Sequence, residues 1–405
     1  MEKNIQIERA RRIGETVYLF FLAVFLLEAF LKTTMFSIDW PTNFHKYIRG
    51  ITLAVVIFRL SISPSLNWKK GVFMAVAGGG AWIASEISGY AVLQDVLILA
   101  LGAQGISFRK ILAVYLTVLG PALLVTILSA LGGKIENLIY YSQTRRPRIS
   151  FGIGYPTDFA AYLFFGTLAY CYWRKTVLRY GEIIVILGLA AFCNFFCDAR
   201  TSTIGLILIA LGCSIARVWA HIKGKGDHEY YLPKSLKFLI SLSPIFFAGF
   251  IWITTILYQE GTPFLAWLNE KLSGRLALGN TGFHQYGIRL FGQQVPMVGN
   301  GMSTEPRADY FFLDSSYILI GLRFGFVILL LICILFLGYF IYSIKRDDTL
   351  LMILLAVMLL QCMIEHHLLE YVYNPFLLLG LAKWDGGCMA LRRTNITKEA
   401  EVERG

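Results

Sequence analysis

The stretch that decides the fold is FVILLLICILFLGYFIYSI, residues 326–344, in which no side chain carries a charge. A helix of this length measures roughly 29 Å, which matches the roughly 30 Å hydrocarbon core of a bilayer. A helix that is apolar on every face is typical of a membrane span or of the centre of a large protein. This stretch therefore predicts a membrane-spanning helix.

The whole chain shares this apolar character. Of its 405 residues, 56% are hydrophobic and only 16% are charged, whereas an average soluble domain has about 25% charged residues. The formal net charge of +11 does not indicate nucleic acid as a partner, because basic residues on cytoplasmic loops orient a protein in the bilayer. The composition predicts one polytopic membrane domain, residues 1–405.

Apolar segments of spanning length recur along the chain. A window of about 19 residues predicts an all-α protein with about 12 transmembrane helices. The segments are 16–38, 47–62, 71–87, 90–106, 111–131, 156–173, 181–196, 201–219, 236–257, 316–344, 350–364 and 368–389. The first is longer than the apolar core of a signal peptide and has no small-residue cleavage site, so we expect it to remain as a signal anchor.

Basic residues beside these segments predict the orientation. If the amino terminus is cytoplasmic, every short basic loop is cytoplasmic too, and so is the tail 390–405. Two longer segments, 132–155 and 258–312, then lie on the outer face although both contain arginines. Long loops cross largely regardless of charge, so these arginines are either tolerated there or part of a basic cavity for an anion. We expect 258–312 to be one large, partly helical extracytoplasmic loop.

Arg200 is the first candidate for chemistry. It follows Asp198 in the very short turn between two predicted spans, so its side chain is held near the membrane interface. A guanidinium fixed in this way matches a phosphate group with two donors. The alternative is an interfacial arginine that pairs with Asp198.

The 258–312 loop contributes two further arginines. Arg275 follows two small residues, and Arg289 lies between Gly287 and Gly292. Glycines at such places allow the backbone to approach another backbone or a ligand closely. The loop is therefore predicted either to take part in a binding site or to cap the helical bundle.

Asp314 lies where this loop ends and the next apolar run begins. A carboxylate at a helix N-terminus is a common capping residue. A partly desolvated acid beside cations could also act as a general base toward a hydroxyl group. Both interpretations stay open on the sequence alone.

His366 and His367 lie in the turn before the last apolar run. If they share one helix, their side chains point about 100° apart and cannot both bind one ion well, so we expect no metal site. A histidine that faces the cavity would contact substrate, because ionisable groups inside a bundle are usually functional. No Walker loop or dinucleotide motif is present, and the seven cysteines, which lack paired spacing, are predicted to be core residues.

In order and spacing, these motifs resemble those of Wzy-type polysaccharide polymerases, members of the O-antigen ligase superfamily. That family's signature is His, then Asn, Ser or Gln, nine residues and Gly; here Asp314-Ser315 is followed by nine residues and Gly325. The aspartate in place of the ligase histidine favours a polymerase over a ligase. The other similarities are the tight-turn Arg200, the Ser-Gly-Arg that ends at Arg275, and the segment 148–157, which begins with Arg148.

The resemblance implies a GT-C-like glycosyltransferase of the bacterial cell (inner) membrane with an outward-facing active site. Such an enzyme joins undecaprenyl-pyrophosphate-linked oligosaccharide repeat units into an O-antigen or capsule polysaccharide, with inversion and without a metal. No cofactor is expected besides the lipid-pyrophosphate-linked glycan donor. Arg200 and Arg275 would stabilise the leaving pyrophosphate and Asp314 would be the base, while the expected substrate contacts are Arg148, Arg289, His366 and His367.

The partners implied by the resemblance are lipid-linked donor and acceptor glycans, membrane lipid, a flippase and a chain-length regulator. Two other functions stay open. One is ligase-type transfer of the glycan to another acceptor, which shares every motif. The other is a transporter or flippase of lipid-linked oligosaccharides, which would place charged residues along a path through the membrane and broken helices in two symmetric halves.

Overall fold

The computed structural model describes residues 2–62, 68–141, 146–174, 176–224, 229–305 and 307–384. Cys388 and the predicted tail 390–405 lie outside these ranges. In the part described, the chain is mostly helical, and its two strands are two residues long each. The prediction of a helical protein is confirmed.

The helices are α1 (Glu2–Leu31), α2 (Phe44–Ser61), α3 (Trp68–Ser88), α4 (Val92–Gly102), α5 (Phe108–Leu131), α6 (Pro156–Arg174), α7 (Tyr180–Phe192), α8 (Arg200–Ile222), α9 (Lys234–Ser241), α10 (Ser243–Ile256), α11 (Pro263–Lys271), α12 (Arg275–Tyr286), α13 (Ser316–Leu319), α14 (Phe326–Arg346) and α15 (Thr349–Cys362). Two π-helical segments, Cys193–Cys197 and Ile320–Phe324, continue α7 and α13, and Pro375–Gly380 is a 3-10 helix. The strands β1 (Ile139–Tyr140) and β2 (Arg148–Ile149) pair antiparallel.

Among the described residues, five helical segments are long and apolar enough to cross a membrane, which supports the predicted membrane character of the chain. They are Ile5–Leu31, Phe108–Leu131, Tyr180–Cys197, Arg200–Ile222 and Phe326–Arg346. The pair α9 and α10, bent by 45°, would make a sixth. The structure therefore does not confirm twelve uninterrupted spans within the described residues. α4 and α15 have only 11 and 14 residues, too few to cross about 30 Å alone.

The centre of the bundle is formed by α6 and α15, which are buried on nearly every side. A helix that is apolar all round fits such a central position. The Asp348 carboxylate caps α15 by accepting a hydrogen bond from the Leu351 N–H at 3.1 Å. The six described cysteines are buried and free, as predicted for core residues.

The described part of the last apolar run, residues 368–384 of the helix predicted over 368–389, is not an α-helix. α15 ends at Cys362, residues 363–374 form turns, and the short 3-10 helix Pro375–Gly380 follows. Because α15 spans only about 21 Å, this turn lies inside the bundle, and His367 and Asn374 are fully buried. The Asn374 side chain donates to the Leu368 carbonyl at 2.8 Å, so backbone groups in the turn are satisfied without a helix.

The predicted span 316–344 is broken at Gly325, which separates the π-helical segment from α14. Gly325 has φ 97°, and a Cβ there would lie 2.4 Å from the backbone of Gly292. The loop crosses α14 at this point, where the Phe326 N–H donates to the Arg289 carbonyl at 2.9 Å. The glycines thus permit close approach of two backbones, as predicted for this loop.

The segment 258–312 contains α11 and α12 and is therefore partly helical, as predicted. Its last part folds back, with Val298 and Phe311 joined by an antiparallel bridge. The Met302 N–H donates to the Tyr155 hydroxyl at 3.0 Å, which ties this part to the residues that precede α6. A cavity lies beneath the contact.

Candidate functional site

The cavity has a volume of about 220 Å³ and is lined by parts of four separate stretches of the chain. The lining residues are Tyr140, Arg148, Tyr155, Thr157, Asp158, Arg275, Gly299, Asn300, Tyr310, Phe312, Asp314, Glu365 and His366. A larger cavity of about 450 Å³, between α5, α6 and α7, is almost wholly apolar. The smaller cavity is the candidate site because the ionisable residues converge there.

Arg275 is brought into the cavity by a left-handed turn. Ser273 and Gly274 have φ 55° and 85°, and α12 begins directly after them. The Arg275 Nη2 group donates to Glu365 Oε1 at 3.2 Å, and its Nε lies 3.4 Å from Asp314 Oδ2. Nε is buried and has no hydrogen-bond partner among the described residues. One donor of the guanidinium is therefore directed at Asp314 and takes part in no hydrogen bond to the described residues.

Asp314 faces this arginine and does not cap a helix. α13 has Ser315 at its N-cap position, without a side-chain capping hydrogen bond. The Asp314 carboxylate makes no hydrogen bond to another described residue; it lies 3.4 Å from Arg275 and 4.0 Å from His366 Nδ1. Burial raises the pKa of Asp314, although the positive charge of Arg275 opposes this shift. The geometry supports the general-base interpretation over the capping interpretation.

His366 and His367 lie in the buried turn after α15, so the premise that they share a helix is wrong. Their ring centroids are 4.2 Å apart. His367 Nδ1 lies 2.9 Å from Glu370 Oε2, and its Nε2 lies 3.8 Å from Asp158 Oδ1. Burial lowers the pKa of both histidines to about 4. Both rings are therefore neutral near pH 7.

Carboxyl groups outnumber basic groups among the described residues in and around the cavity. Asp158, Asp314, Glu365 and Glu370 lie close together, and Arg275 is the cation that contacts two of them. Of the two alternatives for the outer-face arginines, a basic cavity describes this lining only in part, because carboxyl groups accompany Arg148 and Arg275. The Arg148 guanidinium lies 5.8 Å from the centre of the Tyr140 ring and adds a second cation to the lining.

Three predicted site residues, Arg200, Arg289 and His367, do not line the cavity. The Arg200 side chain is 56% exposed, and its Nε lies 3.7 Å from Asp198 Oδ1, which fits the interfacial alternative. Arg289 is exposed, and its backbone carbonyl accepts the hydrogen bond from the start of α14. Arg148, Arg275, Asp314 and His366 do line the cavity, and His367 lies directly behind His366.

Sequence reasoning missed Asp158 and Glu365 as candidates and did not rank Glu370. Each is a carboxylate within or beside an apolar run, and such groups are functional candidates by default. That signal alone gives no ranking, because Glu28 and Asp95 carry it equally. Tyr155 belongs to the segment 148–157 of the resemblance but was not predicted as a site residue, and Tyr310 lines the cavity without any signal in the sequence.

Comparison of the chain with protein-family models, with curated proteins and with solved structures gives no significant match. The function is therefore inferred from the chain's own residues and their geometry.

Proposed function

We propose that this protein is an integral membrane glycosyltransferase that polymerises lipid-pyrophosphate-linked oligosaccharide repeat units. The observation that carries the proposal is the pair formed by Arg275 and Asp314. A buried guanidinium Nε without a hydrogen bond and a carboxylate without a hydrogen bond lie 3.4 Å apart and face the same cavity. Transfer of a sugar from a pyrophosphate needs one such donor and one such base.

The reaction follows from these two groups. Asp314 accepts the proton of an acceptor hydroxyl while the hydroxyl oxygen forms a bond to the anomeric carbon of the donor sugar. The bond from that carbon to the pyrophosphate oxygen breaks, and its electron pair leaves with the pyrophosphate. Arg275 Nε and Arg148 stabilise the charge that builds on the leaving group. Displacement from the opposite face inverts the anomeric centre.

The cavity suits the reacting sugar rather than a whole repeat unit. Its volume of about 220 Å³ is below the 300 to 1,000 Å³ typical of pockets for drug-sized ligands. Aromatic rings line it, including Tyr140, Tyr155 and Tyr310, and offer flat faces for a sugar ring. The rest of the glycan and the lipid would lie outside the cavity.

The proposal assigns a GT-C-like, polytopic arrangement with the cavity on the outer face of a bacterial cell membrane. The 258–312 segment would then be extracytoplasmic. After the buried turn, the chain returns toward the start of α5, where the Phe108 N–H donates to the Lys383 carbonyl at 3.0 Å. This return supports a cytoplasmic carboxyl terminus even though the last predicted span is not a helix.

The direct test uses lipid-linked repeat units extracted from cells that lack the gene, in which the unpolymerised precursor should accumulate. Purified protein is expected to convert them into a ladder of longer lipid-linked glycans. A single product on a different acceptor would indicate the ligase function, and no new glycosidic bond would overturn the proposal. A topology reporter fused near Glu270 should report an outer location, and a cytoplasmic location would contradict it as well.

A further inference from the structure

His367 is an ionisable residue of the site that is held in place by full burial and by a contact with Glu370. Its side chain is fully buried, and Nδ1 lies 2.9 Å from the Glu370 carboxylate. A neutral imidazole that donates its Nδ1 hydrogen to a carboxylate keeps a lone pair on Nε2. Nε2 has no hydrogen-bond partner among the described residues and faces Asp158 Oδ1 at 3.8 Å. His367 Nε2 and Asp158 Oδ1 are thus directed at the same buried place.

His366 adds a third electron-pair donor to this arrangement. Its ring lies beside that of His367, and its buried Nδ1 also lacks a hydrogen bond within the described part of the chain. One ligand atom from each of Asp158, His366 and His367 can be chosen so that all three lie within 4.8 Å of one another. Buried polar atoms without partners are costly. A group that accepts three electron pairs would relieve that cost.

We propose that Asp158, His366 and His367 bind a divalent transition-metal ion of the zinc type. Two imidazole nitrogens and one carboxylate oxygen are a ligand set that such ions prefer, and three protein ligands leave a position open. Ligands at about 2.1 Å in tetrahedral geometry lie about 3.4 Å apart, so a closure of roughly 1 Å would complete the site. Glu370 takes the place of the carboxylate that fixes a metal-bound histidine.

The surroundings of the three ligands are rich in carboxyl groups. Four of these groups lie near the two histidines, and Arg275 is in contact with two of them. A divalent cation would attract the ionised forms of these groups strongly in such poorly screened surroundings. The expectation of no metal rested on a helix through His366 and His367, and the structure has a turn there.

This inference goes beyond the proposed function and does not depend on it, because metal binding needs no glycan substrate. The test uses the full-length protein, purified in detergent without a histidine tag and stripped with a chelator. We expect about one equivalent of Zn²⁺ to bind, and Co²⁺ to give the visible absorption of a nitrogen and oxygen site. Mg²⁺, which prefers oxygen ligands, should not compete.

Substitutions of the proposed metal ligands and of Glu370, which contacts a ligand, should have effects of different size. Asp158→Asn and His367→Gln keep the approximate size of the side chain and should abolish stoichiometric Zn²⁺ binding. Glu370→Gln should weaken it by about 10- to 100-fold, the effect typical of a carboxylate behind a metal-bound histidine. His284→Ala removes an exposed histidine of α12 and should change nothing. Size-exclusion profiles show which variants are folded.

Failure of the wild-type protein to bind Zn²⁺, or equal binding by folded Asp158→Asn and His367→Gln, would overturn the metal site. If those variants do not fold, the Co²⁺ spectrum of the wild-type protein decides, since a spectrum of hydrated Co²⁺ would also overturn it. Metal binding without polymerisation would remove only the proposed function. Polymerisation by protein that binds no metal would remove only this inference.

Discussion

Two groups of buried charges in this protein use the same residue types in opposite ways. The first, the His45 cluster, consists of Glu28, Lys32, His45, Arg49, Gln94 and Asp95. The second, the cavity cluster, consists of Asp158, Arg275, Asp314, Glu365, His366, His367 and Glu370. Both contain histidine, arginine and carboxylates, so residue type alone does not separate a structural network from a reactive site.

In the His45 cluster, every charged group has a partner of opposite sign. His45 Nδ1 lies 3.2 Å from Glu28 and Nε2 lies 3.0 Å from Asp95. Arg49 Nε donates to the same Asp95 at 2.7 Å, and Lys32 pairs with Glu28. Hydrogen bonds to Asp95 and Glu28 raise the pKa of His45 to about 9. This histidine is therefore a cation that holds α1, α2 and α4 together.

In the cavity cluster, some buried polar atoms make no hydrogen bond to the described residues. His366 Nδ1 and His367 Nε2 are buried without hydrogen bonds among the described residues, whereas both ring nitrogens of His45 have carboxylate partners. Burial lowers the pKa of His366 to about 4, opposite in direction to His45. A balanced network stabilises the fold, whereas unsatisfied groups in a cavity are available to a ligand or a reaction. The difference predicts that substitutions in the two clusters have different consequences.

The largest effect is expected from Asp314→Asn. An amide keeps the size of the side chain but cannot accept the proton, so polymerisation should fall by about two to four orders of magnitude. Asp309→Asn is the matched control, because Asp309 lies in the same loop, is exposed and pairs only locally with Arg307. The measurement is the initial rate of chain elongation in vitro. Near-normal elongation by Asp314→Asn would remove Asp314 as the base.

A second comparison separates two predicted arginines. Arg275→Ala removes a donor to the leaving group and the cation beside Asp314, so elongation should fall by at least about 100-fold. Arg275→Lys should rescue poorly, because a point charge does not replace a planar fork. Arg200→Ala should cost less than about 10-fold, since that side chain is exposed and paired with Asp198. Equal losses in both variants would contradict the placement of Arg200 outside the site.

His45→Ala should affect stability rather than turnover. The substitution leaves Glu28 and Asp95 without the proton donor between them, at a cost of about 2 kcal/mol. The melting temperature in detergent should drop, while the elongation rate per folded molecule stays unchanged. His284→Ala, in an exposed position, serves as the control. A large loss of turnover in folded His45→Ala would show that the His45 cluster takes part in the reaction.

The smallest and most specific effect is a pH dependence of the difference in stability between the wild-type protein and His45→Ala. Because the folded protein holds the His45 proton more tightly than the unfolded chain, its contribution is fully present below about pH 6.5. It is lost as the pH rises through about 9. The gap in melting temperature between wild type and His45→Ala should therefore be wide at pH 6 and narrow at pH 10. A gap that does not change with pH would refute the paired state of His45.

Hydropathy predicted the helical membrane character correctly but misjudged the last apolar run. A window over 368–389 cannot distinguish a spanning helix from a buried turn and a 3-10 helix, because all are apolar. The 3-10 helix begins only at Pro375, and in the turn before it the Asn374 side chain donates to the Leu368 carbonyl and accepts from the Phe376 N–H. Pro375 lies in the middle of this run, and a proline disfavours a helical conformation of the residue before it, so the sequence already argued against a continuous helix.

The sequence by itself determined the apolar, mostly helical character of the protein and part of the candidate site. The length and apolarity of a run such as 326–344 are local properties, and a helix there satisfies its backbone hydrogen bonds within the run itself. The motifs also led to Arg275 and Asp314, because each stands beside a recognisable turn. Tertiary structure alone decided that Asp158 faces His367, that Arg200 points away and that His45 is satisfied while His366 is not. Whether a buried charge is compensated depends on side chains from other helices, and a local sequence pattern does not show which side chains these are.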